Sequence, residues 1–120
     1  MESSDAVTAL SALAHPGRLA AFRRLVQAGP EGLPAGEVAR ALGAPANTTS
    51  TLLATLTQAG LARSRREGRS ILYSADTGRV GALVAYLVAD CCEGAPEACA
   101  PVAEALARSA CACPGEGGRA

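Results

Sequence analysis

Apolar residues recur every three or four positions through the first sixty residues. Val7, Leu10 and Leu13 have the spacing of one helical face, and Ser3 or Ser4 stands ahead of them as a cap. "AHPG" then breaks the pattern, because Pro16 disfavours helical geometry at His15 yet suits the first turn of a new helix. That helix is predicted over Pro16 to Ala28, burying Leu19, Phe22, Leu25 and Val26 and stopping at Gly29-Pro30. "GPEGLP" reads as a loop. Pro34 opens a short helix carrying Val38, Ala39 and Leu42, closed by Gly43 as a left-handed C-cap. A further helix, Asn47 to Ala59, turns Leu52, Leu53 and Leu56 inward and ends at Gly60.

The period then shortens to two. Leu61–Arg66 and Arg69–Ala75 read as the arms of a β-hairpin around Gly68, with Arg65, Arg66 and Arg69 at its tip. Thr77 is placed to cap a helix from Gly78 to about Asp90. Its stripe of Val80, Leu83, Val84, Leu87 and Val88 is continued by Cys91. A last short helix spans about Pro101 to Arg108. The chain reads as one domain over residues 1–109 with a flexible cysteine-containing tail over 110–120, and no internal repeat is visible.

Composition narrows this to a mainly helical protein with one small hairpin. Phe22, Tyr73 and Tyr86 are the only aromatic residues of 120, so Leu, Val and Ala must build the core. Charge is uneven although the formal net charge is zero. Residues 18–79 hold nine arginines against four acids, and the rest holds two arginines against seven acids. A positive middle suits a nucleic-acid reader. The start "MESSDAV" has no signal-peptide character and no apolar run approaches a membrane span, which points to the cytoplasm. Thiols stay reduced there, so the five cysteines read as metal-binding or redox groups before disulfides.

Helix, tight glycine turn, helix and arginine-tipped hairpin is the order of a winged helix-turn-helix. Asn47, Thr48, Ser50 and Thr51 are small polar groups at the start of the predicted recognition helix. They are suited to base edges and phosphates, and threonine methyls to thymine methyls. Arg63, Arg65, Arg66 and Arg69 of the wing would meet the DNA backbone or the minor groove. His15 reads as a capping or packing residue. No nucleophile–base pair, phosphate loop or C-x-x-C beside a βαβ unit points to an enzyme. A thiol enzyme or a metalloid buffer would explain the cysteines but not the arginine wing.

"ALSALAHPGRLAAFRRL" and "LPAGEVARALGAPANTTSTLLATLTQAGLARSRREGRSILYS" resemble the ArsR/SmtB family of metal- and metalloid-sensing repressors. Ser50, Leu53, Leu56, Ala59, Gly60 and Leu61 fall on that family's S-x-H-L-x-x-L-x-x-A-G-L pattern, and the likeness covers about residues 6–90. The resemblance implies a symmetric homodimer, paired through the first helix and the long helix at 78–90, seated on a palindromic operator. Leu52 stands where the family often has histidine, which removes one polar group from the recognition helix. The third helix, "EVARALG", lacks the family's C-V-C arsenic site, and the long helix lacks the histidines of its zinc sensors.

Cys91, Cys92 and Cys99 remain as the candidate site. Cys91 and Cys92 close the long helix about 100° apart around it, and Gly94 and Pro96 turn the chain so that Cys99 folds back. Thiolates select soft or borderline ions, and structural zinc normally takes four ligands. The resemblance names the inducer as As(III) or Sb(III), since some arsenic-sensing relatives have a vicinal Cys-Cys and a third cysteine at this helix end. Cys111 and Cys113 are possible accessory ligands. A Cd(II), Pb(II) or Zn(II) site, a Cys92–Cys99 redox switch and plain core packing of Cys91 are the alternatives.

Overall fold

The computed structural model describes residues 1–88 and 100–111. In chain order these form α1 (Ser3–Leu13), α2 (Pro16–Ala28), β1 (Leu33–Pro34), α3 (Ala35–Leu42), α4 (Ala46–Gln58), β2 (Ala62–Glu67), β3 (Ser70–Ala75), α5 (Thr77–Leu87) and α6 (Ala100–Cys111). The chain divides into two compact units, Met1–Val84 and Ala85–Ala120. The fold is mainly helical with a small antiparallel sheet of strand order β1-β3-β2.

Local chemistry sets the helix ends. The Glu2 amide donates to the Asp5 carboxylate at 3.1 Å and the Asp5 amide is held by the Glu2 side chain, a reciprocal box that satisfies two otherwise orphaned donors. Glu2 is therefore the cap of α1, not Ser3 or Ser4. His15 Nδ1 accepts from the Gly17 and Arg18 amides at 3.1 and 3.2 Å, which makes it the cap of α2 and accounts for its place before Pro16. Gly43 ends α3 with φ 65°, the left-handed cap its position requires. Asp76, not Thr77, caps α5: its carboxylate accepts the Arg79 amide at 3.0 Å, and Thr77 is already helical.

The core of the first unit gathers Leu25, Val38, Leu53, Leu56 and Leu61, all fully buried. Thr49 is buried with them, its hydroxyl donating to the Pro45 carbonyl at 3.0 Å. On α1 the core-facing residues are Ala6, Ala9 and Ala12, while Val7 is 62% and Leu10 42% exposed and only Leu13 reaches the core edge. Small side chains let α1 lie close to the core and turn the bulkier stripe outward. On α2, Phe22 and Leu25 are buried as expected, together with Ala21, whereas Leu19 and Val26, at the edges of the predicted face, lie exposed.

The loop before α3 also carries a strand that periodicity does not announce. Leu33 and Pro34 pair with Tyr73 and Leu72 of β3. Proline has no amide to donate, so it suits this edge position. Gly32, at φ 79°, allows the pairing: a Cβ there would stand 2.5 Å from the Tyr73 carbonyl oxygen. In the second unit, α6 runs three residues past its expected end at Arg108. Among the described residues no helix is long and apolar enough to cross a membrane.

Candidate nucleic-acid interface

The alternation of small polar and apolar residues on α4 separates two faces. Thr49, Leu52, Leu53 and Leu56 are buried, whereas Asn47, Thr48, Ser50 and Thr51 are all exposed near the helix N-terminus. Leu52 packs toward Gly17 at the start of α2, where a Cβ would come within 3.3 Å of both Leu52 δ-carbons. Its apolar side chain thus removes nothing from the exposed face, contrary to the expectation that a recognition group is lost there.

Hydrogen bonds within α4 fix what the exposed groups offer. Asn47 Oδ1 accepts the Thr48 amide at 3.0 Å, leaving the side-chain nitrogen of this exposed residue as a double donor. The Thr51 hydroxyl donates to the Asn47 carbonyl at 3.1 Å, so its oxygen presents acceptor lone pairs beside its methyl. This first turn therefore carries donor, acceptor and methyl groups of the kinds that distinguish base pairs in a major groove. The unpaired amides of the helix start add a partial positive charge suited to phosphate.

In the wing, β2 and β3 pair from Ala62↔Ala75 to Glu67↔Ser70, with Gly68 at φ 63° in the turn. Arg63, Arg65, Arg66 and Arg69 are all exposed. Strand alternation puts Arg63 and Arg65 on one face of β2 and Arg66 on the other. Arg63 Nε lies 3.3 Å from Asp76 Oδ2, and Arg65 Nη2 donates to the Glu31 carbonyl at 3.2 Å and lies 3.7 Å from the Glu67 carboxylate. Among the described residues Arg66 and Arg69 have no carboxylate partner.

Asp76 is a structural residue at the root of the wing that the hydrophobic pattern does not announce. Its amide donates to the Leu61 carbonyl at 2.8 Å, its carboxylate caps α5 through the Arg79 amide and it meets Arg63. The Arg79 amide above all, and then Arg63, lower the Asp76 carboxyl from its ordinary value against the opposing effect of burial. An acid immediately before the predicted helix was the available signal.

Cys91, Cys92, Cys99 and Cys113 lie outside the described residues, and Cys111 ends α6. Among the described residues no three His, Cys, Asp or Glu side chains gather to hold a metal ion.

Two helices joined at a left-handed glycine, with an exposed polar start on the second and a basic hairpin behind them, define a winged helix-turn-helix DNA-binding protein. Comparison with known proteins agrees. The family profile described as the IclR helix-turn-helix domain matches residues 18–66. The HTH-type transcriptional regulator YgaV of Escherichia coli (strain K12) is 38% identical over 85 residues, spanning 71% of this chain and 84% of that protein. The chain belongs to this family of helix-turn-helix transcriptional regulators.

The solved structures that share the fold include these three. HlyU from Vibrio cholerae N16961 has a TM-score of 0.60 at 28% identity, covering 78% of this chain and 100% of its own. The antimony-specific transcriptional repressor AntR has a TM-score of 0.58 at 28% identity, covering 72% of this chain and 77% of its own. The homodimeric winged helix-turn-helix domain Mb0332 from Mycobacterium bovis, described as a possible ArsR-family regulator, has a TM-score of 0.58 at 30% identity, covering 72% and 81%.

Proposed function

We propose that this chain is a cytoplasmic, homodimeric repressor of the ArsR/SmtB type that releases its operator when Cys91, Cys92 and Cys99 bind As(III) or Sb(III). The observation that carries the reading is the placement of three cysteines within nine positions just beyond α5 in a winged helix-turn-helix chain. Three thiolates without a histidine suit a soft ion that makes three bonds and keeps a lone pair. The likeness to AntR supports the same class of ligand. The domain is taken as residues 1–109; beyond it, Cys111 at the end of α6 and Cys113 serve at most as accessory ligands.

Dimerisation is supported by the apolar residues the single chain leaves uncovered, Val7 and Leu10 on α1 and Tyr86 and Leu87 on α5, and by the likeness to a homodimeric domain. A two-fold dimer presents two copies of α4 to successive major grooves of a palindrome, with Asn47, Thr48, Ser50 and Thr51 reading bases. The metalloid needs only to bind the off-DNA state better than the on-DNA state. A coupling of about 1–3 kcal/mol lowers operator affinity severalfold to about a hundredfold.

The test is a gel shift on the DNA upstream of the gene, with reduced protein, with and without arsenite or antimonite. Retarded DNA released by metalloid, and not released from the Cys92→Ser variant, supports the reading. Retarded DNA that ignores metalloid refutes the sensing half.

A second reading has one observation of its own. HlyU was also solved in a form described as reduced, with 28% identity and a TM-score of 0.57 to this chain. On that reading a Cys92–Cys99 disulfide forms under an oxidant and releases DNA. Release by diamide but not by arsenite, reversed by dithiothreitol, would select it.

A further inference from the structure

The wing carries four exposed arginines, but the structure does not treat them alike. Arg63 faces the Asp76 carboxylate at 3.3 Å. Arg65 is held by the Glu31 carbonyl at 3.2 Å and lies 3.7 Å from the Glu67 carboxylate. Both line a cavity of about 400 Å³ at the root of the wing, with Pro30, Ser74 and Thr77. Arg66 and Arg69 stand at the other end of the hairpin, against Ile71 and in the turn, with no carboxylate partner among the described residues.

Local charge follows from these partners. A phosphate approaching Arg63 meets Asp76 beside it, and at Arg65 it meets Glu67, so attraction and repulsion largely cancel at that range. Among the described residues no carboxylate lies within ion-pair distance of Arg66 or Arg69, so less of their positive charge is offset. The faces differ as well. Arg66 shares its face of β2 with Ala62, which is buried, and that face pairs with Tyr73, which packs on the helical core. Arg63 and Arg65 project from the opposite face.

We infer that the wing arginines divide their work: Arg66 and Arg69 contact DNA phosphates, while Arg63 and Arg65 are positioning residues that brace the hairpin, Arg63 through Asp76 at the start of α5 and Arg65 through the Glu31 carbonyl. The inference rests on the DNA-binding reading above and refines which of its residues touch the ligand. Removing a brace changes affinity only by moving the tip. Once the tip arginines are gone, the braces have nothing left to position.

The experiment measures the dependence of DNA affinity on salt, using the full reduced chain and the duplex retarded in the gel shift. Neutralising one phosphate contact flattens the slope of log K against log salt by about one. R66A/R69A should flatten it by about two. Adding R63A or R65A to R66A/R69A should then change neither slope nor affinity, and D76A in the otherwise native chain should weaken binding as R63A does. A further flattening of about one on adding R63A or R65A would overturn the inference, as would tighter binding by D76A. The two failures are distinguishable: if the native chain shows no salt-dependent preference for its upstream duplex, the DNA-binding reading itself falls. Thermal unfolding of each variant separates a displaced wing from an unfolded one, and a loss of affinity that tracks loss of folded protein counts against the brace.

Discussion

Arg63 and Asp76, thirteen residues apart in sequence, meet at 3.3 Å where the wing joins α5. Their exposed pairing stabilises the fold by no more than about 1 kcal/mol. Its importance is geometric, because the same carboxylate caps α5 while the Asp76 backbone amide donates to the Leu61 carbonyl. Asp76→Ala should cost about 1 kcal/mol from the lost cap, read by urea unfolding at neutral pH. Asp76→Asn should retain most of that stability, since asparagine also accepts the Arg79 amide.

Acid should act through the same group. The Asp76 carboxyl is lowered in the fold, so its contribution is present above the unfolded aspartate value of about 3.9 and is lost as pH falls through the lower folded value. Unfolding free energy measured down this acid range should fall less steeply for Asp76→Asn than for the native chain. Equal slopes would show that Asp76 does not contribute to the acid limb.

His15 offers a separate test of local design. Its Nδ1 accepts two backbone amides at the start of α2, so His15→Ala should cost about 1 kcal/mol and His15→Asn should cost much less. Chemical denaturation of both variants decides between a cap and a residue that merely fills space.

Much of this architecture was legible in the sequence, and the misses have physical causes. Pro16 and Gly29 bracket α2 because one lacks a useful amide and the other ends the helix at φ 82°, so both ends were readable. β1 was not readable, since two residues carry no period and Pro34 also signals a helix start. The outward turn of Val7 and Leu10 was missed because spacing reports that a face is apolar, not what covers it. Alanines took the core side of α1 instead. On α4 the polar start was visible from composition, but the commitments of Asn47 and Thr51 to backbone partners required the fold.

Two glycines should respond in opposite directions. Gly32→Ala forces a Cβ toward the Tyr73 carbonyl at a positive φ, and should destabilise the chain by about 1–3 kcal/mol and weaken DNA binding. Gly36 lies within α3 with nothing near its Cβ position, so Gly36→Ala should stabilise by about 0.5–1 kcal/mol. Paired melting curves check both.

The proposed dimer predicts that a charge on the outer side of α1 is disruptive. Val7→Glu and Leu10→Glu leave the alanine face untouched. They should shift the protein to monomers in analytical ultracentrifugation and abolish tight operator binding while the fold, by circular dichroism, is kept. A variant that stays dimeric would place the interface elsewhere.

The pairing of Leu33 and Pro34 with Tyr73 and Leu72 clamps the hairpin partway along its length. Only two cross-strand pairs and the turn project past that clamp, a cantilever of about 7 Å at the usual rise per residue. So short a beam bends little. The regulator should therefore tolerate few changes in the width or curvature of the duplex under its wing, and discriminate among operators partly by their stiffness, at base pairs it never touches.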